Sequence, residues 1–288
     1  MRIGVGLPNT VPGVPGRRLV EWARQAEALG FSSLMTIGRL VFPTHDELIA
    51  LTAAAAVTDR VGLMANTLIE PAYDPIGVAR QAASLDQISE GRFVLGLAVG
   101  WRQTDFEVAG RSWSDRGARM DADIELMQRI WRGEKVNGAD KVLSPRPTNG
   151  EAVPLAFGGN VAAAFRRTAQ HGVGWTAGGS PPDEVRDLAG KAKEAWAAAG
   201  RDGQPRIWAL VYFGLGPDAL ANGERYLSDY YGDWGPGMAA GMPKDAEAIA
   251  ATVRAYAAVG VDELLFVPTD GEMNQLDLLI SATGGTTA

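Results

Sequence analysis

Two glycine pairs stand out for chemistry: Gly158-Gly159-Asn160, and Gly178-Gly179 followed by Ser180-Pro181-Pro182-Asp183. A glycine pair lets the backbone curl. The polar residue after it, Asn160 or Ser180, reads as a helix cap, with Pro181 suited to the first helical position. Unpaired N–H groups at such helix starts attract phosphate, and two of them on adjacent strand exits would aim at one point. The same residues also read as plain loops with ordinary caps, and the two readings stand side by side at this level.

Acid–base and nucleophilic sets are sparse. The chain has two histidines and no cysteine. His171 precedes Gly172 at a helix end, where a partial positive charge suits the macrodipole, and His45 begins the second helix after Pro43-Thr44. No H-E-x-x-H, carboxylate–His cluster or G-x-S-x-G elbow occurs, so a metal site and Ser/His/Asp or Cys/His catalysis lack members. Lys135, Lys141, Lys191, Lys193 and Lys244 fall in helices or loops, which leaves a cofactor-free lyase or isomerase without its lysine. Glu70, Tyr73, Asp105 and Tyr212 remain as isolated proton donors or substrate contacts.

The elements that must hold these residues alternate. Apolar strands at 2–8, 32–37, 61–68, 92–99, 154–158, 173–177, 206–214 and 262–267 are separated by helix-period runs. Most are too continuously apolar to face water on one side, which predicts a parallel sheet buried on both faces. Leu19, Trp22, Ala23, Ala26 and Leu29 line one side of the first helix, and Ile249, Val253, Tyr256 and Ala257 one side of a late one. Gly30, Gly172, Gly200 and Gly260 are placed as helix C-caps. Gly4-Val5-Gly6 is followed by Pro8, so no dinucleotide fingerprint opens a helix. Eight units close into an α/β (β/α)8 TIM barrel forming a single domain over 1–288, whose site lies at the strand C-termini. Residues 101–153 form an insertion after the fourth strand, with a helix at about 118–132. Residues 232–244 are a candidate lid, and 284–288 are expected to fray.

A net charge of −7 and no basic patch argue against a nucleic-acid partner. No apolar run approaches the roughly 20 residues of a membrane span, so no membrane partner is expected. Met1-Arg2-Ile3-Gly4-Val5 runs straight into a strand with no leader, and the expected location is cytoplasmic.

One stretch carries more than composition. Residues 85–101, LDQISEGRFVLGLAVGW, read as a helix end, a glycine turn, a buried strand and a Gly-Trp exit, with Asp105, Phe106 and Gly110 beyond. Together with the opening Arg2–Asn9, Gly158-Gly159-Asn160 and Gly172-Val173-Gly174-Trp175, in that order, the chain resembles the luciferase-like flavin-dependent monooxygenases and their deazaflavin-dependent relatives. The match covers about residues 1 to 270.

The resemblance implies an oxidoreductase using reduced FMN and O2 on a small organic substrate, with the flavin supplied by a separate reductase, and a homodimer. The alternatives are hydride transfer with coenzyme F420, or a non-catalytic flavin-binding protein. It further implies that Gly158, Gly159, Asn160, Gly178, Gly179 and Ser180 hold the flavin phosphate. Asn66-Thr67 would be a non-proline cis pair in a bulge under the ring. Trp101 and Thr104 would stand near the ring, although Trp101 could equally cover the barrel mouth. Arg39 departs from the pattern: many deazaflavin-dependent members carry an acidic–His pair where this chain has Gly38-Arg39. That shifts the expectation toward FMN and makes Arg39 a candidate for an anionic substrate group or the electron-rich flavin edge, against a surface salt bridge. Val99 stands where the luciferases have a basic phosphate-binding residue, so their phosphate pocket is not reproduced. Arg39, Asn66 and Trp101 are the residues expected nearest the chemistry.

Overall fold

The computed structural model describes residues 1–284. Eight strands, β1 (Arg2–Gly6), β2 (Ser33–Thr36), β3 (Gly62–Ile69), β4 (Phe93–Ala98), β5 (Leu155–Gly158), β6 (Gly174–Thr176), β7 (Arg206–Phe213) and β8 (Glu263–Pro268), pair in sequence order and close on themselves. Every pairing is parallel, and β1 completes the ring against β8 in the register Ile3↔Leu264. The (β/α)8 barrel expected from the apolar runs is therefore present. Residues on both faces of β2 and β8 are buried without exception, as a closed parallel sheet under a ring of helices requires.

The surrounding helices are α1 (Gly16–Ala28), α2 (Glu47–Ala55), α3 (Pro75–Ile88), α4 (Gln103–Val108), α5 (Arg116–Trp131), α6 (Ala162–His171), α7 (Pro182–Ala198), α8 (Ala219–Tyr231), α9 (Gly235–Gly241), α10 (Ala246–Ala258) and α11 (Asn274–Ala282). On α1, Leu19, Trp22, Ala23 and Ala26 face the core at the expected period. On α10, Ile249 and Tyr256 are buried but Ala257 is exposed. The insertion after β4 holds two helices where one was expected: α5, close to the predicted bounds, and the short α4, which turns Asp105 and Phe106 inward. Residues 232–244 are not an irregular loop, since a 3₁₀ turn (Gly232–Trp234) leads directly into α9. Of the 284–288 tail only Gly284 is among the described residues.

Gly30, Gly200 and Gly260 adopt the positive φ expected of them, but Gly172 has φ −94°. Its small size matters for a different reason: a Cβ there would lie 2.9 Å from the Thr168 carbonyl oxygen and 3.1 Å from the Phe157 ring. α2 begins at Glu47, capped by Asp46, which accepts from the Ile49 N–H at 2.8 Å. His45 precedes the helix and its Nε2 meets the Val14 carbonyl at 2.9 Å.

The N-terminal floor of the barrel is tied by one carboxylate. Glu263, 1% exposed, accepts from Ser33 Oγ at 2.7 Å, Trp208 Nε1 at 3.0 Å and Arg2 Nη2 at 3.1 Å, and also from Ser32 and Arg206. It joins β1, β2, β7 and β8 at the end of the barrel where stability rather than catalysis is expected. Replacing it with alanine leaves buried donors and two guanidiniums without their acceptor. Glu263→Ala is predicted to lower unfolding stability in urea by about 3 kcal/mol, with flavin affinity unchanged; a loss under about 1 kcal/mol would contradict this role.

Candidate functional site

At the opposite, C-terminal end the strand exits surround a cavity of about 500 Å³, within the size range of small-molecule and cofactor sites. One wall is the β3 exit. The Asn66–Thr67 peptide bond is cis, and the β3–β4 register shifts between Ala65 and Leu68, which is the bulge the resemblance implied. Asn66 is buried and its amide lies 3.9 Å from the Met35 sulfur.

The β5 and β6 exits form the adjoining wall. A Cβ on Gly158 would sit 3.2 Å from the Thr67 methyl, so glycine keeps this corner open. Gly159 has φ +124°, and its carbonyl accepts from Trp175 Nε1 at 2.8 Å, which fixes the curl of the loop. Gly178 has φ +60° and faces open space. Between the two loops Thr176 presents a buried hydroxyl with no partner. Arg116 and Arg167 add positive charge on this side. Arg167 is held by Asp121 at 2.6 Å and the Gly117 carbonyl at 2.8 Å, and Arg116 lies 3.5 Å from the centre of the Trp113 ring.

The two helix starts are not equivalent. Val161, not Asn160, occupies the N-cap of α6, and no side chain caps it. Asn160 is exposed, though it still lines the cavity. At α7 the N-cap is Pro181 and the first helical residue is Pro182, so Ser180 is displaced by one position and its carbonyl accepts from the Tyr256 hydroxyl at 2.8 Å. Two prolines remove N–H donors from this start, and Asp183 and Glu184 place negative charge in its first turn. Phosphate is therefore favoured at α6 and disfavoured at α7.

Across the cavity, β7 and the end of α8 contribute Tyr212, Tyr230 and Tyr231. The Tyr212 and Tyr231 hydroxyls lie 2.8 Å apart. Burial raises the pKa of all three phenols, so they stay protonated and neutral. Trp101 is 56% exposed and stacks on Trp234, itself 66% exposed, at 5.7 Å and 17°. It closes over the mouth more than it walls the interior.

Of the residues expected at the site, Asn66, Thr67, Trp101, Gly158, Gly159, Asn160, Gly178 and Gly179 line this one cavity. Thr104, Ser180 and Arg39 do not. Thr104 is exposed on the first turn of α4. Arg39 lies behind the wall, donating to the Tyr230 carbonyl at 2.9 Å between the Phe42 and Tyr230 rings, and it makes no salt bridge among the described residues. Arg102, Tyr230, Tyr231, Thr176, Arg116 and Arg167 also belong to the site, although residue type and spacing do not point to them. The Tyr230-Tyr231-Gly232 helix end is the one local signal, while the others depend on which elements the barrel brings together.

Among the carboxyls, Asp105 lines the cavity and accepts from the Val41 N–H at 3.0 Å. Glu47 is buried behind Gly38: a Cβ on Gly38 would fall 1.2 Å from its Oε1, so the missing side chain makes room for the carboxyl. Burial raises Glu47 to about 7, helped by the charges of Asp46 and Asp105. Glu70, with both carboxyl oxygens buried and unpartnered, is raised to about 8, first by burial and then by Asp123. Tyr73 is raised by burial and, like Glu70, lies outside the cavity. His171 titrates lower than usual, chiefly through burial, which opposes the charged, dipole-stabilising role expected for it.

The luciferase-like monooxygenase family matches residues 1–257. An uncharacterized protein of Mycobacterium tuberculosis is 30% identical over 186 residues, 62% of this chain and 65% of that protein, so the chain spans just under two thirds of that relative's length. An F420-dependent glucose-6-phosphate dehydrogenase of Kribbella flavida is 27% identical over 247 residues, 78% of this chain and 74% of that protein. Among solved structures, a monooxygenase from Streptomyces bottropensis superposes with a TM-score of 0.78 at 19% identity, covering 98% of each chain. An F420-dependent secondary alcohol dehydrogenase gives 0.77 at 18%, also over 98% of each. The oxygenating constituent of 3,6-diketocamphane monooxygenase from Pseudomonas putida, in complex with FMN, gives 0.76 at 18% over 100% of this chain and 99% of that one. At these identities the structures share the fold, and it is the family match, over most of the chain, that identifies this protein as a member of the luciferase-like monooxygenase family of oxidoreductases.

Proposed function

We propose that the chain binds reduced FMN in the barrel mouth and oxygenates a small organic substrate, receiving the flavin from a separate reductase. Bound reduced FMN would supply two electrons, so that one atom of O2 enters the substrate and the other leaves as water. The observation that carries the reading is the unpartnered, buried hydroxyl of Thr176, between two glycine loops of positive φ, in a residue that lines the same cavity as Asn66 and Thr67. A buried donor without an acceptor is costly, and a phosphate oxygen would satisfy it.

The chain's own groups divide the work. Backbone N–H groups at the start of α6, the Gly178 loop and the Thr176 hydroxyl would hold the phosphate. The Asn66–Thr67 segment, with the space kept by Gly158, would support a flat ring. Neutral Tyr212 and Tyr231 bond to each other and leave an apolar, dry face. The Trp101–Trp234 stack would limit exchange with water at the mouth. Glu47, behind Gly38, can hold or release a proton near neutral pH.

A second reading, hydride transfer with F420, draws support from the Kribbella flavida relative. Gly38-Arg39 at the β2 exit lacks the acidic–His pair of many deazaflavin-dependent proteins, and this favours FMN. In parallel titrations, submicromolar binding of reduced FMN with substrate-dependent O2 uptake is expected. Binding of F420 alone would overturn the proposal, and FMN binding that never leads to turnover would mark a storage protein. Thr176→Val is predicted to weaken FMN by about tenfold, the worth of one hydrogen bond to a charged acceptor; unchanged affinity would remove Thr176 from the phosphate site.

Glu47 also fixes a pH dependence. A carboxyl raised from 4.5 unfolded to about 7 folded binds its proton more tightly in the native state. It therefore penalises the fold as pH rises through this range, by on the order of 3 kcal/mol above pH 7. Glu47→Gln is predicted to raise stability at pH 8 relative to wild type and to leave it unchanged at pH 4. An equal effect at both values would contradict the assignment.

A further inference from the structure

Two guanidiniums meet beside the cavity with no carboxylate in ion-pair contact with either among the described residues. Arg102, on the β4 exit, lines the cavity, and Arg39, on the β2 exit, stands behind it. Both donate to the same acceptor, the Tyr230 carbonyl at the end of α8, at 3.1 and 2.9 Å. Each uses one donor there and has others to spare. Arg39 Nε is buried and unpartnered. Neither residue forms an ion pair among the described residues. Asp105, whose charge acts on Arg102, is occupied by the Val41 N–H.

The surroundings hold this charge in place without neutralising it. Arg102 lies 4.1 Å from the centre of the Trp101 ring, 5.0 Å from Tyr230 and 5.3 Å from Tyr231, and Arg39 is flanked by Phe42 and Tyr230. Aromatic faces attract guanidinium but leave its edge free for hydrogen bonds. Desolvation, and then repulsion from Arg39, both work against the charge on Arg102. A bound anion would offset the repulsion and fill the open donors.

Position in the barrel separates this pair from the proposed phosphate cradle. Arg39 and Arg102 flank β3, whereas the glycine loops follow β5 and β6 on the far side of β4. We propose that Arg102, backed by the buried positive charge of Arg39, is a receptor for the anionic end of the substrate, a carboxylate or sulfonate on a flat or apolar body that rests against Tyr212 and Tyr231. The assignment rests on the reading that FMN fills the β3–β6 side of the same cavity.

Calorimetric titration of benzoate, benzenesulfonate and benzamide into the FMN-loaded and the flavin-free protein tests it. At least one of the two anions should bind the loaded protein at least tenfold more tightly than neutral benzamide, and which one does separates carboxylate from sulfonate. Arg102→Gln and Arg39→Gln should each weaken that anion by tenfold or more, with FMN affinity held within twofold, and Arg102→Lys should recover part of the loss. Equal binding of anion and amide, or no binding of either anion to wild type, would overturn the proposal. So would a fall in FMN affinity in step with anion affinity, which would make the pair part of the cofactor site. Arginine-dependent anion binding by a protein that takes up no FMN would support the receptor while defeating the cofactor reading.

Discussion

All eight strands of the barrel run in one direction, and that constraint organises everything else in the molecule. A closed parallel sheet buries both faces, so its interior fills mainly with apolar side chains and its polar groups gather toward the two ends. Polar function is left to the rim, where eight exit loops meet. At the opposite rim Glu263 gathers Arg2, Ser33, Arg206 and Trp208 and ties the first and last strands to their neighbours. Stability and chemistry are thus separated by the length of a strand.

Within the mouth, charge is distributed rather than concentrated. Arg167 and Arg116 stand near the glycine loops, Arg102 at the β4 exit with Arg39 behind it, and neutral phenols lie between. In the proposed reading, cationic groups at two poles and an uncharged aromatic face would serve two ligands, each with its own anionic end. The carboxyls offset only part of this: Asp105 acts on Arg102 without pairing with it, and Glu47 and Glu70 are pushed by burial toward their neutral forms.

The barrel was legible because burial on both faces writes each strand as a continuous apolar run that needs no partner to be recognised. The segments that misled are those in which local chemistry had competing solutions. Ser180 before two prolines reads as a cap, yet the helix begins one residue later and Pro181 takes the cap. Gly172 reads as a left-handed terminus, yet its backbone is extended and its small size serves the Phe157 ring. The helix Gln103–Val108 is too short to display a period, and Gly235–Gly241 is too rich in glycine to be read as helical from propensity. Arg102 carries no local mark at all: its role arises because the end of α8, more than a hundred residues away, delivers the Tyr230 carbonyl to it. Thr176 is similarly silent, since an unpartnered hydroxyl exists only once the neighbouring strands are in place.

The proposed division of the mouth into a phosphate pole and a substrate pole is tested most directly by a crystal structure of the protein grown with FMN. Phosphate density is expected within hydrogen-bond distance of Thr176 and the start of α6, with the ring against Asn66–Thr67 and the Arg39–Arg102 pair free of flavin. Phosphate density on Arg102, or a ring lying away from the β3 exit, would contradict that division.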